Sequence, residues 1–297
     1  MMLVLAAALF LPHSGHASGW VTTILSVDTA TAVYGGTVSV RATLTDADTG
    51  AGIPGKLISF LVNGQFRQAV TNAAGVAEIG NLALGRVAAG AHPGTLLARF
   101  DGVYGATVYE ASSGAGDLQV AKRPLRVIPE AVSRQYGDEN PAALPYRLEN
   151  FASGDDERVL AARPSCTTTA TRVSSVGAYP ITCDGLAADN YEGDYSAPGV
   201  LTVTPAPMTI RPHDQVKPLG QTAGPLTATY IGTWKLGEGP WALSGTLKCG
   251  SAGASRWAGA GAYLITCTGQ SSTNYALKYA EGTLQVVPTA APGLLLR

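Results

Sequence analysis

The sequence predicts a mainly β protein made of tandem modules: a leading β-sandwich followed by two small, disulfide-stapled, β-rich modules. Three observations carry this. Charged residues are only 14% of the 297, while 36 glycines and 18 prolines punctuate stretches rich in Thr, Val, Ala and Ser, which suits short strands joined by tight turns. "GAYPITC" at Gly177 returns as "GAYLITC" at Gly261. The closing stretches "GDLQVAKRP" at Gly116, "GVLTVTPAP" at Gly199 and "GTLQVVPTA" at Gly282 recur at intervals of 83 residues.

The chain opens on "MMLVLAAALFLPHSGHASGW". Leu3–Leu11 is an unbroken apolar run, too short to span a bilayer, followed by Pro12 and small residues around Ala17. This reads as the hydrophobic and cleavage regions of a signal peptide over 1–17, without the usual basic start, and predicts export. No later run reaches the ~18 apolar residues of a membrane span. The formal net charge of −1 gives no bulk attraction to nucleic acid or to an anionic membrane.

Residues 18–121 form the first module. Strands are expected at Val21–Val27, Thr37–Thr45, Lys56–Val62, Gln65–Val70, Val76–Ile79, Thr95–Phe100 and Asp117–Val120. Asn63-Gly64, between two of these runs, signals a type I′ hairpin. About seven short strands in roughly 100 residues, with regular turn signals, is the pattern of an immunoglobulin-like sandwich.

Residues 122–205 and 206–289 are two copies of one module, and 290–297 are a tail. Phe151 and Trp234, Gly154 and Gly237, Leu160 and Leu243, and Cys166 and Cys249 each lie 83 apart. The "GAY" blocks and the pairs Asn190-Tyr191 and Asn274-Tyr275 lie 84 apart, so one residue is inserted between the cysteines of the second copy. Prolines at the junctions end each closing strand and stiffen the link.

Each copy holds two cysteines and the first module none. A duplicated module must close on itself, so Cys166 is expected to pair with Cys183, and Cys249 with Cys267. Both flanking segments are strand-like about a turn near Ser174-Ser175, and cross-strand spacing suits a disulfide. Closing a loop of that length is worth roughly 3 kcal/mol, which matters in a module with a small core. Zinc would need CxxC-type spacing or nearby histidines, and neither occurs. The stretch "DDERVLAA" at Asp155 admits one short helix, whose first turn the acids would suit. That helix would make the module a small α+β, β-grasp-like unit.

These residues resemble the MBG-type repeat of bacterial surface proteins. The resemblance rests on "YGDENPAALPY" (Tyr136–Tyr146), "GDD" at Gly154, "SSVGAYPITC", "NYEGDY" and "GVLTVTPAP". The second copy keeps "GAYLITC", "NYALKY" and "GTLQV" but opens with "KPLGQTAGPLTATY". The leading segment is similar to bacterial Ig-like domains through "YGGTVSVRATLTD", "GIPGKLISFLVNG" and "TNAAGVAEI". The resemblance implies a secreted or surface-attached stalk or adhesin whose partner is a host or cell-surface protein or glycan. It implies spacing and adhesion rather than catalysis.

No constellation in the chain reads as an active site. Asp155, Asp156 and Glu157 could pair as acid and base, but the second copy has Glu238, Gly239 and Pro240 there, and a solvated turn is the simpler reading. "DADTG" at Asp46 lacks the third ligand and closing glutamate of a calcium loop and reads as a hairpin tip. "GEGPWA" at Gly237 lacks βαβ context, and Glu238 would repel phosphate. No cofactor or metal is expected. The one candidate ligand surface is aromatic: Trp234, Trp241 and Trp257 crowd the last module and could stack on sugar rings. Trp234 replaces Phe151 at an expected core position, so Trp241 and Trp257 are the ones expected at the surface.

Overall fold

The computed structural model describes residues 19–288. The expected signal peptide (1–17) and tail (290–297) lie outside these residues. The leading module contains β1 (Trp20–Val21), β2 (Thr23–Val27), β3 (Ala30–Val33), β4 (Thr37–Asp46), β5 (Leu57–Val62), β6 (Gln65–Val70), β7 (Val76–Ala83), β8 (Gly90–Phe100), β9 (Val108–Tyr109) and β10 (Ser112–Ala121). One sheet has the order β2-β4-β7 and the other β3-β10-β8-β5-β6, which is an immunoglobulin-like sandwich.

Alternation along the strands builds its core. Val38, Val40, Ala42 and Leu44 of β4 face Ile58 and Phe60 of β5 and Leu96 and Phe100 of β8, all buried. Asn63 (φ +47°) and Gly64 (φ +72°) make the left-handed turn between β5 and β6. The short strands β3 and β9 lie where no strand is expected from the sequence, and both pair in parallel with distant partners.

The first repeat holds β11 (Arg123–Pro129), β12 (Val132–Gln135), β13 (Tyr146–Glu149), β14 (Ser165–Thr168), β15 (Gly177–Asp184), β16 (Tyr191–Asp194) and β17 (Gly199–Thr204). The second holds β18 (Ala206–Pro212), β19 (Gln215–Pro218), β20 (Ala228–Gly232), β21 (Ser244–Gly250), β22 (Gly261–Ser271), β23 (Tyr275–Tyr279) and β24 (Gly282–Val287). Both have the same topology. A three-stranded sheet, β13-β11-β16 or β20-β18-β23, is followed by a four-stranded one, β12-β17-β15-β14 or β19-β24-β22-β21. Disulfides join Cys166 to Cys183 and Cys249 to Cys267. Each pair stands directly opposite in register, across β14–β15 and across β21–β22.

The α+β, grasp-like form does not occur, for no α-helix is present among the described residues. "DDERVLAA" makes only one 3-10 turn, Glu157–Val159, which Asp156 caps by accepting from the Arg158 N–H at 2.9 Å. Leu160 is already extended, and Ala161 donates to the Ala187 carbonyl, so the chain is drawn into a β-bridge before a second turn can form.

The described chain packs as two compact units. One takes the described residues up to Arg126 together with Leu148–Arg163 and Gly185–Asp194. The other takes Val127–Arg147, Pro164–Asp184 and the described residues from Tyr195 onward. In the first unit, Leu125, Ala152, Ala188 and Tyr191 of the first repeat share a core with Tyr34, Leu84 and Val120 of the leading sandwich. In the second, Tyr136, Ile181, Leu201 and Val203 of the first repeat share a core with Met208, Leu243 and Tyr275 of the second. The opening sheet of each repeat is thus buried against the module before it.

Candidate functional site: tyrosine clasps between modules

The two shared cores carry the same polar device. In the first unit, β3 ends in the turn Tyr34-Gly35. Tyr34 is 4% exposed, and its hydroxyl donates to Asp155 Oδ2 at 2.9 Å. The Tyr191 hydroxyl, from the start of β16, donates to the same oxygen at 2.7 Å and accepts the Ala152 N–H at 3.0 Å. Arg86 reaches Asp155 Oδ1 at 3.2 Å, and the Asp155 side chain is 2% exposed. The Tyr34 and Tyr191 rings meet edge to face at 5.4 Å, and Phe151 meets Tyr191 at 5.6 Å. Gly35 has φ +67°, and a Cβ there would collide with Ala152.

The second unit repeats the device. Tyr136, also 4% exposed, donates to Glu238 Oε1 at 2.9 Å, and Tyr275 donates to Oε2 at 2.7 Å. The Tyr275 hydroxyl accepts the Lys235 N–H at 2.8 Å. Tyr136 and Trp234 pack on the Tyr275 ring at 5.8 and 5.2 Å. Gly137 has φ +78°, and a Cβ there would strike the Lys235 side chain. Lys235 Nζ pairs with Asp138 Oδ1 at 2.6 Å. Even the lateral bond is kept: Asn190 Oδ1 accepts the Ala89 N–H at 2.8 Å, and Asn274 Oδ1 the Val176 N–H at 3.1 Å.

Burial, then the hydrogen bond to the carboxylate, raises the pKa of Tyr34 and Tyr136. The same causes push Tyr191 and Tyr275 up to about 12. All four hydroxyls therefore remain donors at neutral pH. Two donors converge on each carboxylate in a largely dry core, where such bonds are strong and an orphaned partner is costly. The arrangement holds modules together and offers no free acid, base or nucleophile. Just beyond the first clasp, Asp156 is held near a pKa of about 2 by hydrogen bonds from the Arg158 guanidinium and N–H. At the hairpin tip, the Asp46 carboxylate accepts from the Asp48 and Thr49 N–H groups, which lowers its pKa.

The three tryptophans separate. Trp234 is half-buried between Tyr230 and Tyr275 and belongs to the second clasp. Trp241 and Trp257 are 79% and 81% exposed. The Trp241 ring lies against Gly239, and the Arg256 guanidinium stacks 4.5 Å over Trp257. No ring contact joins the two among the described residues.

Asp155 is not part of a solvated turn. It is the carboxylate at the centre of the first clasp, a role its sequence neighbourhood does not disclose. One signal was present: Tyr-Gly recurs at Tyr34 and Tyr136 in otherwise dissimilar modules, while the acids Asp155 and Glu238 keep the 83-residue interval.

The fold and clasps define a tandem array of β-sandwich-like modules. The chain belongs to the MBG domain (YGX type) family, which matches residues 125–202 and 208–285. Tyr136-Gly137-Asp138 is a YGX triplet. No curated protein matches the chain. Among solved structures, it is similar to the I9-I11 tandem from titin, with 11% identity over 89% of this chain and 98% of that one and a TM-score of 0.29. It is also similar to a 1.5-MDa bacterial ice-binding adhesin, with 10% identity, coverage of 91% and 99%, and a TM-score of 0.28. A Ca2+-stabilized, ice-binding adhesin of an Antarctic bacterium gives 13% identity, coverage of 90% and 75%, and a TM-score of 0.28. At such scores these likenesses carry no argument about function. Among the described residues no helix is long and apolar enough to cross a membrane.

Proposed function

We propose that the protein is a non-enzymatic stalk or adhesive segment of an exported bacterial surface protein. The observation that carries this reading is the clasp, built twice from different residues at successive module junctions. Separating two modules there requires pulling one of two hydroxyls off a carboxylate, fully buried in the first clasp and partly in the second, and wetting an aromatic cluster. A segment meant to hold its modules in register under load benefits from such joints. Membership in the MBG family supports the reading, and a disulfide in each repeat suits an oxidising compartment. The non-enzymatic part is supported by the commitment of both clasp acids to tyrosine hydroxyls.

A second reading, a carbohydrate-binding accessory, is favoured by the exposure of Trp241 and Trp257. A glycan and matrix-protein array separates the two, using the full chain beside Trp241→Ala and Trp257→Ala. Both side chains are exposed, so each variant should keep its stability within ~0.5 kcal/mol. Sugar binding lost in the variants favours the accessory. Protein binding that survives them, or no binding at all, favours the adhesive or stalk reading. Turnover of any arrayed substrate would refute the non-enzymatic assignment.

A further inference from the structure

The tyrosine turn has a third copy, and that copy is open. The Tyr34 N–H donates to the Ala121 carbonyl at 3.0 Å, the Tyr136 N–H to Thr204 at 2.8 Å, and the Leu219 N–H to Val287 at 2.8 Å. Each turn is thereby fastened to the closing strand of its own module. The residue that follows is a left-handed glycine every time: Gly35, Gly137 and Gly220, the last with φ +82°. A buried cation supports the second and third copies from below. Arg134 donates to the Thr171 carbonyl, and Lys217, 4% exposed, donates to the carbonyls of Gln221 and Ser255 at 2.8 Å each. The Leu219 turn is therefore as firmly built as its counterparts.

What differs is cover. Leu219 is 40% exposed where Tyr34 and Tyr136 are 4%. Among the described residues, a Cβ on Gly220 would meet nothing within 4 Å. Ala260, which stands where the Val176 N–H donates to Asn274 Oδ1, is exposed. The covered copies also show how a module is chosen. Tyrosine meets a carboxylate in both. The residue after the glycine differs as well: Asp138 pairs with Lys235, whereas the first copy has Gly36 there and the uncharged Ala152 at the position of Lys235.

We propose that Leu219, Gly220 and Gln221 form a third docking face, whose occupant is the opening sheet of another MBG-type module with an uncharged residue where Asp155 and Glu238 stand. Both covered copies are covered by the opening part of an MBG-type module, through Ala152 and Asp155 in one and Lys235 and Glu238 in the other, which names the occupant. Leu219 has no hydroxyl, so a carboxylate buried against it would keep only the donor from its own module, the counterpart of Tyr275, and lose the second one. Gln221, being neutral, matches a neutral neighbour rather than a lysine. The face would act in this way whether the chain is a stalk or a sugar-binding accessory.

The test extends the full chain after Pro288 with a further copy of its own residues 206–288. The glutamate corresponding to Glu238 in the added copy is either kept or replaced by leucine, the latter with phenylalanine for the tyrosine corresponding to Tyr275 so that this hydroxyl is not stranded, and position 219 is either native or Leu219→Tyr. Amide exchange is read at Gly220 and Ala260, with Gly137 as the internal reference. With native Leu219, the leucine copy should slow exchange at the face ~10-fold or more relative to the glutamate copy, as one missing donor to the covered carboxylate implies. With Leu219→Tyr the order should reverse, because that pairing rebuilds the Tyr136–Glu238 junction and shows that an added copy can fold. Equal protection by both copies, or protection only in the Leu219→Tyr form with glutamate, overturns the proposal. So does concentration-dependent protection of the face in the unextended chain, which would assign it to a second copy of the protein.

Discussion

Replacing Asp155 with alanine tests the clasp most directly. The carboxylate accepts from Tyr34 at 2.9 Å and Tyr191 at 2.7 Å and is 2% exposed. Its loss strands two buried hydroxyls, each bond to a charged acceptor being worth about 1.5–3 kcal/mol. Arg86 is 68% exposed, so the ion pair adds little. Relief of the buried charge offsets part of the loss, leaving a net cost of about 3 kcal/mol. Because the described chain packs as two units, one global unfolding energy is not well defined. The assay is therefore native-state hydrogen exchange at the amides of Tyr34 and Ala152, where about 3 kcal/mol appears as roughly 100-fold faster opening. Tyr34→Phe alone should cost about 1–2 kcal/mol, and the double variant should fall short of the sum by a similar amount. Asp155→Leu combined with Tyr34→Phe and Tyr191→Phe should recover part of the loss, since the stranded hydroxyls are gone and only the Ala152 N–H is left without its side-chain acceptor. Additivity of Tyr34→Phe and Asp155→Ala within ~0.5 kcal/mol would refute the coupling.

Two further outcomes follow from the same geometry. Tyr191 and Tyr275 have folded-state pKa values of about 12 against an ordinary 10.0. Their stabilisation is therefore fully present below pH 10 and lost as pH rises toward 12. Each shift corresponds to roughly 2–3 kcal/mol, and the pH dependence of the first unit's urea transition across that window should weaken in Tyr191→Phe while Tyr275 keeps that of the second unit; an unchanged slope would exclude the tyrosine as the cause. Replacing Cys166 and Cys183 together by serine removes the constraint on a 17-residue separation. It should lower the opening free energy of the β14–β15 hairpin by about 3 kcal/mol, read by exchange at Thr167 and Thr182. A loss below about 1 kcal/mol would mean that cross-strand packing, not the bridge, holds the hairpin.

Local physics made much of this protein readable in one dimension. The Asn63-Gly64 turn and the period-2 runs of β4, β5 and β10 depend on neighbours a few residues apart, and the 83-residue interval on motifs that recur along the chain, so a linear string preserves them. The duplication extends this to the disulfide-stapled modules, because a repeated unit must close within itself. The short parallel strands β3 and β9 escaped, being defined by partners about 90 residues away. The helix expected after Asp155 also depended on a distant competitor, the Ala187 carbonyl that captures Ala161. The clasps were hidden for the same reason. Tyr34 and Asp155 lie 121 residues apart, and nothing around "SGDDER" distinguishes the acid that is buried from the two beside it. Which carboxylate leaves water is decided by the face that the preceding module lays over it. Burial of that kind is a property of packed surfaces, and chain order does not encode it locally.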